Sequence, residues 1–157
     1  MRKPRLRIER HASGDRDAVR TILADLPEWF GRPEATEAYV TAADKLPNYF
    51  AVTSAGEQIG VVLIEERFPE TAEIHLMAVK RAWHRQGVGN ALLSKVEGDL
   101  VARGTRMLTV KTLGEAHPDE GYRRTRQFYE AQGFFRLEEF TDLWPGTPCL
   151  FMAKLLL

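Results

Sequence analysis

The residues from the end of an apolar run at Val79 to the first turn of a helical pattern that begins at Val88 are the best placed in this sequence to do chemistry. This stretch holds two glycines, Gly87 and Gly89, together with several basic side chains. A strand that feeds a glycine turn opening a helix points backbone N–H groups and the positive helix end at one spot. Glycines let the main chain approach a phosphate closely, and Arg81 and Arg85 add positive charge. The pattern predicts an anion site, and the alternative interpretation is a tight turn with a solvated basic edge.

Other chemistries find less support in the sequence. The Gly-x-x-x-x-Gly-Lys-Ser/Thr motif is absent, and Gly-x-Gly-x-x-Gly fails because Leu92 stands where its third glycine would be. The four histidines show no metal-ligand spacing, so we expect no metal site. The single cysteine, Cys149, lies in an apolar segment, which favours an inert buried thiol.

The composition indicates one domain and argues against nucleic-acid binding. The 157 residues are enough for a core without disulfide or metal support. The 22 basic side chains are balanced by 22 acidic ones, so the cationic excess needed to neutralise a phosphate backbone is missing. No apolar run is long enough to span a bilayer, and residues 1–7 do not resemble a signal peptide. We expect a single domain over residues 4–157, in the cytoplasm, with neither membrane nor nucleic acid as a partner.

Hydrophobic periodicity predicts seven strands and four helices around the glycine turn. Leu6 and Ile8 alternate with charged residues as in a strand, and the apolar residues of segment 18–26 follow the helical period. Pro33 suits the first turn of a second helix. The remaining elements are a hairpin turning at residues 54–57, a strand over 71–79, a helix from residue 88 that ends at Arg103-Gly104, a strand over 107–110, a helix over 122–132, and strands over 134–140 and 149–155. This order predicts a mixed sheet with helices on its faces and a right-handed parallel crossover within residues 71–112.

Two motifs in this chain resemble the GNAT-type N-acetyltransferase superfamily. The run His84-Arg85-Gln86-Gly87-Val88-Gly89 is similar to the family's Arg/Gln-x-x-Gly-x-Gly/Ala signature, with His84 in place of Arg or Gln. Residues 126–134 are similar to its aromatic helix followed by Gly-Phe, although Tyr122 and Thr125 replace the usual Asn and Ala. The resemblance implies an α/β fold with a mixed, mostly antiparallel seven-stranded sheet, helices on both faces and an acyl-CoA cleft between strands 4 and 5.

The resemblance also implies an activity and the residues that perform it. The activity is transfer of the acetyl group of acetyl-CoA, as co-substrate, to a primary amine by direct attack in a ternary complex. The residues implied to hold acetyl-CoA are Met77, Ala78, Val79, Arg85, Gln86, Gly87, Val88, Gly89 and Asn90. Tyr129 stands in the position of the family's general acid for the CoA sulfur. A core aromatic packed beside Phe128 is the other interpretation of Tyr129.

The general base is left open between Glu73, His75 and water. Glu73 is the leading candidate because it precedes the expected acetyl site on the same strand and could act through a water. His75 shares its strand face and titrates near neutrality. A solvated strand face would explain both residues equally well.

The acceptor is expected to be a small-molecule or peptide amine. Aromatic residues near the first two helices and the last hairpin could line its site, namely Trp29, Phe30, Tyr39, Tyr49 and Trp144. The apolar C-terminus hints at a homodimer. Two alternative functions are a non-catalytic acyl-CoA-binding or sensing module and an interaction domain that exposes aromatics around Trp29 and Trp144.

Overall fold

The computed structural model describes residues 5–11, 15–30, 32–114, 120–144 and 146–156, so both ends of the predicted domain lie outside the described residues. In chain order the elements are β1 (Leu6–His11), α1 (Arg16–Ala24), α2 (Pro33–Ala42), β2 (Asn48–Thr53), β3 (Gln58–Phe68), β4 (Thr71–Val79), a 3-10 helix (Arg81–Trp83), α3 (Val88–Ala102), β5 (Met107–Leu113), α4 (Glu120–Ala131), β6 (Phe135–Trp144) and β7 (Thr147–Leu155). The predicted strands and helices are confirmed, and the 3-10 helix is an addition.

The strands form one seven-stranded sheet in the order β1-β2-β3-β4-β5-β7-β6. The pairs β1–β2, β2–β3, β5–β7 and β6–β7 are antiparallel, whereas β4 and β5 are parallel. The prediction of a mixed, mostly antiparallel sheet with a parallel crossover through α3 is therefore confirmed.

One compact unit comprises Met1–Glu65 and His75–Asp99. Phe50 and Val52 of β2 belong to a buried cluster with residues of α1 and α2. Because side chains alternate across a strand, Tyr49 points to the other face, where its hydroxyl lies 3.0 Å from the carboxylate of Asp99 in α3. The unit thus has helices on both faces of its strands, as the sequence predicts.

A second compact unit comprises Glu66–Ile74 and Leu100–Leu157. In it the parallel pairing of β4 and β5 runs from Thr71 opposite Met107 to Ile74 opposite Val110. The prediction of a single domain over 4–157 stays a prediction. None of the helices in the described ranges is long and apolar enough to cross a membrane.

Candidate functional site

The segment between β4 and α3, where the sequence predicts an anion cradle, is a turn with two left-handed residues that leads into a helix. Arg85 and Gly87 both adopt left-handed conformations, with φ of 62° and 80°. The Ala91 N–H donates to the Gly87 carbonyl at 3.0 Å, which makes this the first bond of α3. The amides of Val88, Gly89 and Asn90 precede that bond and have no carbonyl partner in their own helix. The predicted turn with converging N–H groups is therefore present.

The positive charge at this cradle comes from Arg85. Its side chain is exposed and makes no ion pair within the described parts of the chain. Arg81, in contrast, forms an ion pair with Glu28 and lies over the Trp29 ring, 5.9 Å from its centroid. Its hydrogen bond lowers the pKa of the Glu28 carboxyl. The charge of Arg81 is thus already engaged by the protein.

Two side chains of the loop are turned back onto its own backbone. His84 Nε2 donates to the Val79 carbonyl at 2.6 Å, and Gln86 Nε2 donates to the Ala82 carbonyl at 3.0 Å. His84, which stands where the signature has Arg or Gln, thus bonds to the last residue of β4. Gln86 makes this contact through its side-chain amide, so the direction of its backbone N–H is set by the turn alone.

The last residues of β4 present their backbone groups to alternate edges. The Lys80 N–H donates to the Ile59 carbonyl of β3 at 2.8 Å. Since these groups alternate along a strand, those of Ala78 face β3 as well, and those of Met77 and Val79 face the opposite edge. Met77 and Val79 thus face the edge away from β3, where the Val79 carbonyl accepts from His84, while Ala78 has a side chain that is 5% exposed. Contacts of these residues to a pantetheine chain stay a prediction.

Glu73 is buried and ion-paired. Its carboxylate lies 2.9 and 3.0 Å from Lys111 Nζ and 3.3 Å from Arg67 Nη1, and the residue is 8% exposed. This differs from the solvated face that the strand pattern alone allowed. Lys111 was not singled out in the sequence, because its proximity depends on the register that places Glu73 opposite Thr109.

His75 lies in a different environment from Glu73. Its Nδ1 is 3.7 Å from the Glu65 carboxylate on β3, and its ring packs edge-on against Tyr39 of α2 with centroids 5.5 Å apart. Burial raises the pKa of Tyr39. The structure thus brings one predicted acceptor-side aromatic to the candidate base His75 and adds Glu65, which the sequence analysis missed.

Tyr129 and its neighbours belong to the second unit. Tyr129 is 5% exposed and packs edge-on against Phe128 and Phe134, with centroids 5.5 and 5.3 Å apart. Arg126, one turn earlier, is buried and donates to the carbonyls of Leu113 and Gly114 at 2.9 and 3.2 Å. The role of Tyr129 as an acid stays a prediction.

The remaining candidates for chemistry are the cysteine and a possible metal site. Cys149 is buried, and burial raises the pKa of its thiol. The predicted burial is confirmed, and the inertness of the thiol stays a prediction. Within the described ranges no cluster of three His, Cys, Asp or Glu residues could hold a metal ion.

Solved structures share this arrangement of elements. A GNAT-family protein from Desulfovibrio desulfuricans superposes with a TM-score of 0.84 and 21% identity, covering 98% of this chain and all of that one. The ribosomal-protein-S18-alanine N-acetyltransferase from Escherichia coli gives 0.78 and 18% identity, covering 97% and 94%. A GNAT family acetyltransferase from Elizabethkingia anophelis, solved with acetyl-CoA bound, gives 0.70 and 22% identity, covering 96% and 98%. No curated protein sequence matches significantly.

The family assignment comes from the sequence of the central elements. The family model of the acetyltransferase (GNAT) domain matches residues 45–135, which is more than half of the chain. This range contains β4, the left-handed loop, the start of α3 and the helix that carries Tyr129. The protein therefore belongs to the GNAT acetyltransferase family.

Proposed function

We propose that this protein transfers the acetyl group of acetyl-CoA to a primary amine by direct attack in a ternary complex. The observation that carries the proposal is the loop at Arg85 and Gly87, whose left-handed residues direct amides at one point beside the start of α3. An anion is stabilised there by N–H groups and by the helix dipole. A pyrophosphate fits this cradle because Gly87 has no Cβ and Arg85 supplies charge.

The edge of β4 supports the same ligand. A pantetheine chain carries amides that can pair with a strand edge in the manner of an added strand. The backbone groups of Met77 and the N–H of Val79 point to the edge away from β3 and would make those hydrogen bonds, while the Val79 carbonyl keeps its bond to His84. The registered pairing of β4 with β5 ends at Ile74 and Val110, which supports a cleft between the strands beyond that point.

The chemistry is divided among few residues. Acetyl-CoA supplies the acetyl group as a thioester. Glu73 or His75 would remove a proton from the acceptor ammonium, directly or through water, so that the neutral amine attacks. The C–N bond forms and the C–S bond breaks, the attacking nitrogen gives up a further proton to water as it becomes an amide nitrogen, and Tyr129 would donate a proton to the departing sulfur. A small-molecule or peptide amine as the acceptor, homodimer formation and cytoplasmic location stay predictions.

Thermal unfolding with and without acetyl-CoA tests the ligand. At a ligand concentration of about a hundred times the dissociation constant, linkage gives about 2.7 kcal/mol of stabilisation. We expect this stabilisation in the wild type and its loss in Gly87→Glu, which places a side chain and a negative charge in the cradle. Absence of stabilisation in the wild type contradicts the proposal and favours the interaction domain.

Thiol release with a panel of amines separates an enzyme from a sensor. The panel contains a polyamine, an aminoglycoside, free amino acids and a peptide with a free N-terminus. An enzyme releases CoA thiol faster with at least one amine, and Tyr129→Phe slows that release while leaving acetyl-CoA stabilisation intact. Stabilisation without amine-dependent release in either form identifies the non-catalytic module.

A further inference from the structure

The cofactor loop is held by a histidine that does not itself belong to the amide cradle. We propose that His84, supported by Trp29, is a positioning residue that keeps the loop in the shape that binds the pyrophosphate of CoA. This inference rests on the proposed function. It assigns a role to the one position where the loop signature departs from the family pattern.

The contact of His84 with Val79 ties the two ends of the turn together. Its Nε2 carries the proton, because the Val79 carbonyl 2.6 Å away can only accept. The bond joins the end of β4 to the residue directly before Arg85. Arg85 then adopts a φ of 62°, a conformation that residues with a side chain keep only where their surroundings impose it.

The connection between α1 and α2 supports this arrangement from outside the loop. The edge of the His84 ring packs against Trp29, with centroids 5.9 Å apart. Asp25 Oδ2 accepts the Arg81 backbone N–H at 2.6 Å, and the Arg81 guanidinium pairs with Glu28. Three residues of one connection thus contact two residues of the segment that leads into the cradle.

Pre-ordering is the physical reason for an effect on affinity. A loop already held in its bound shape loses less conformational freedom when a ligand binds. Without the His84 hydrogen bond, the strained conformation at Arg85 has one constraint fewer, and CoA binding must order the loop. The same residues therefore contribute to CoA affinity although His84 need not touch the ligand.

Isothermal titration with CoA as the probe tests this role. We expect His84→Ala to weaken CoA binding about three- to tenfold, the effect of one lost hydrogen bond. His84→Gln should bind within about twofold of the wild type, because its amide can donate to the Val79 carbonyl. Trp29→Leu should weaken binding about threefold. If His84→Ala does not fold, His84→Met keeps side-chain bulk without a donor and gives the same comparison.

His11 provides the matched control. It is a partly exposed histidine of the same unit and packs edge-on against Phe50, with centroids 5.4 Å apart, far from the loop in sequence. His11→Ala should lower thermal stability and leave CoA affinity unchanged.

Each outcome has a defined meaning. CoA binding by the wild type with unchanged affinity in His84→Ala overturns the inference and leaves the proposed function standing. Equal weakening in His84→Ala and His84→Gln also overturns it, since donation to Val79 would then be irrelevant. Absence of CoA binding by the wild type contradicts the proposed function and the inference together.

Discussion

The carboxylate of Glu73 on β4 lies within 3.0 Å of the Lys111 ammonium on β5 through both of its oxygens. The two residues are on adjacent parallel strands; Glu73 lies opposite Thr109, and Lys111 directly follows Val110, the last residue of β5 that is paired with β4. Glu73 is buried, and 26% of the Lys111 side chain is exposed. The ion pair therefore joins the two strands at the end of their registered pairing.

Removal of the lysine should destabilise the fold. In Lys111→Met, the buried Glu73 carboxylate keeps Arg67 and loses Lys111 of its two cationic partners. Breaking a buried ion pair costs about 3–5 kcal/mol. Because Lys111 is partly exposed and Arg67 remains, we expect a loss of about 2 kcal/mol, measured by urea unfolding.

An exposed lysine pair is the control for that experiment. Lys95 pairs with Asp99 one helical turn away, at 3.3 Å, and 48% of its side chain is exposed. Lys95→Met should cost under about 0.5 kcal/mol. Equal effects of the two substitutions would show that the Glu73 pair behaves as a surface ion pair.

The two candidate bases should separate by their effect on turnover. A positioned base contributes about 10²- to 10⁴-fold to the rate. If Glu73 is the base, Glu73→Gln lowers kcat by such a factor with the amine that releases thiol fastest, whereas His75→Gln has a small effect. The reverse result assigns the role to His75 with Glu65 beside it.

The acetyl-CoA stabilisation of each variant is measured in parallel with turnover. It should stay at the wild-type value in both glutamine variants, so that a lower rate reports on proton transfer. If both variants keep wild-type kcat, neither residue is the base, and water is the candidate base that is left.

Two glycines of the same conformation provide a matched test of the cradle. Gly87 and Gly56 have φ of 80° and 86°, and a Cβ at either position would meet nothing within 4 Å. Each alanine substitution should therefore cost about 1 kcal/mol through backbone strain alone.

Only Gly87 belongs to the cradle, so the two variants should differ in ligand binding. Gly87→Ala is expected to weaken acetyl-CoA binding by at least about fivefold, and Gly56→Ala to leave it unchanged, in titration calorimetry. If both variants bind acetyl-CoA with wild-type affinity, Gly87 is not part of the acetyl-CoA site.

Local pattern was sufficient to predict the elements and the loop. The apolar period of residues 18–26, the proline at the start of α2 and the glycines at 87 and 104 act within a few residues of where they stand. The positive φ at Gly87 and Gly104 matches the turn and the helix stop that the sequence indicated.

Contacts that depend on strand register or helix orientation could not be predicted in this way. Glu73 and Lys111 are 38 residues apart and meet through the parallel pairing of β4 and β5. Arg126 ends a run of basic residues at 123–126, yet it is buried against the end of β5 because of the face it occupies on α4. The His84 hydrogen bond depends on the left-handed conformation of Arg85, which the sequence pattern did not predict because this position is not a glycine.

Alkaline pH should destabilise the fold through Tyr39. Burial raises the pKa of its phenol above the ordinary value of 10.0, so the folded protein keeps a proton that the unfolded chain loses. Stability therefore falls as pH rises above about 10 and is insensitive to this group at lower pH. Tyr49, whose pKa is also raised by burial, adds to the same fall, and Cys149 adds a fall that begins near its ordinary value of 9.0.

The contribution of Tyr39 can be isolated by substitution. Tyr39→Phe keeps the ring that packs against His75 and removes the ionisable hydroxyl. Urea unfolding from about pH 8 to about pH 11 should show a shallower alkaline decline in this variant, with the remaining slope due to Tyr49 and Cys149. Tyrosinate absorbance of the folded protein should rise only at higher pH than in the unfolded chain. Identical declines in wild type and Tyr39→Phe would mean that the Tyr39 phenol ionises in the folded protein as it does in water. We expect a difference, because a phenolate buried beside His75 would lose hydration without gaining a cation.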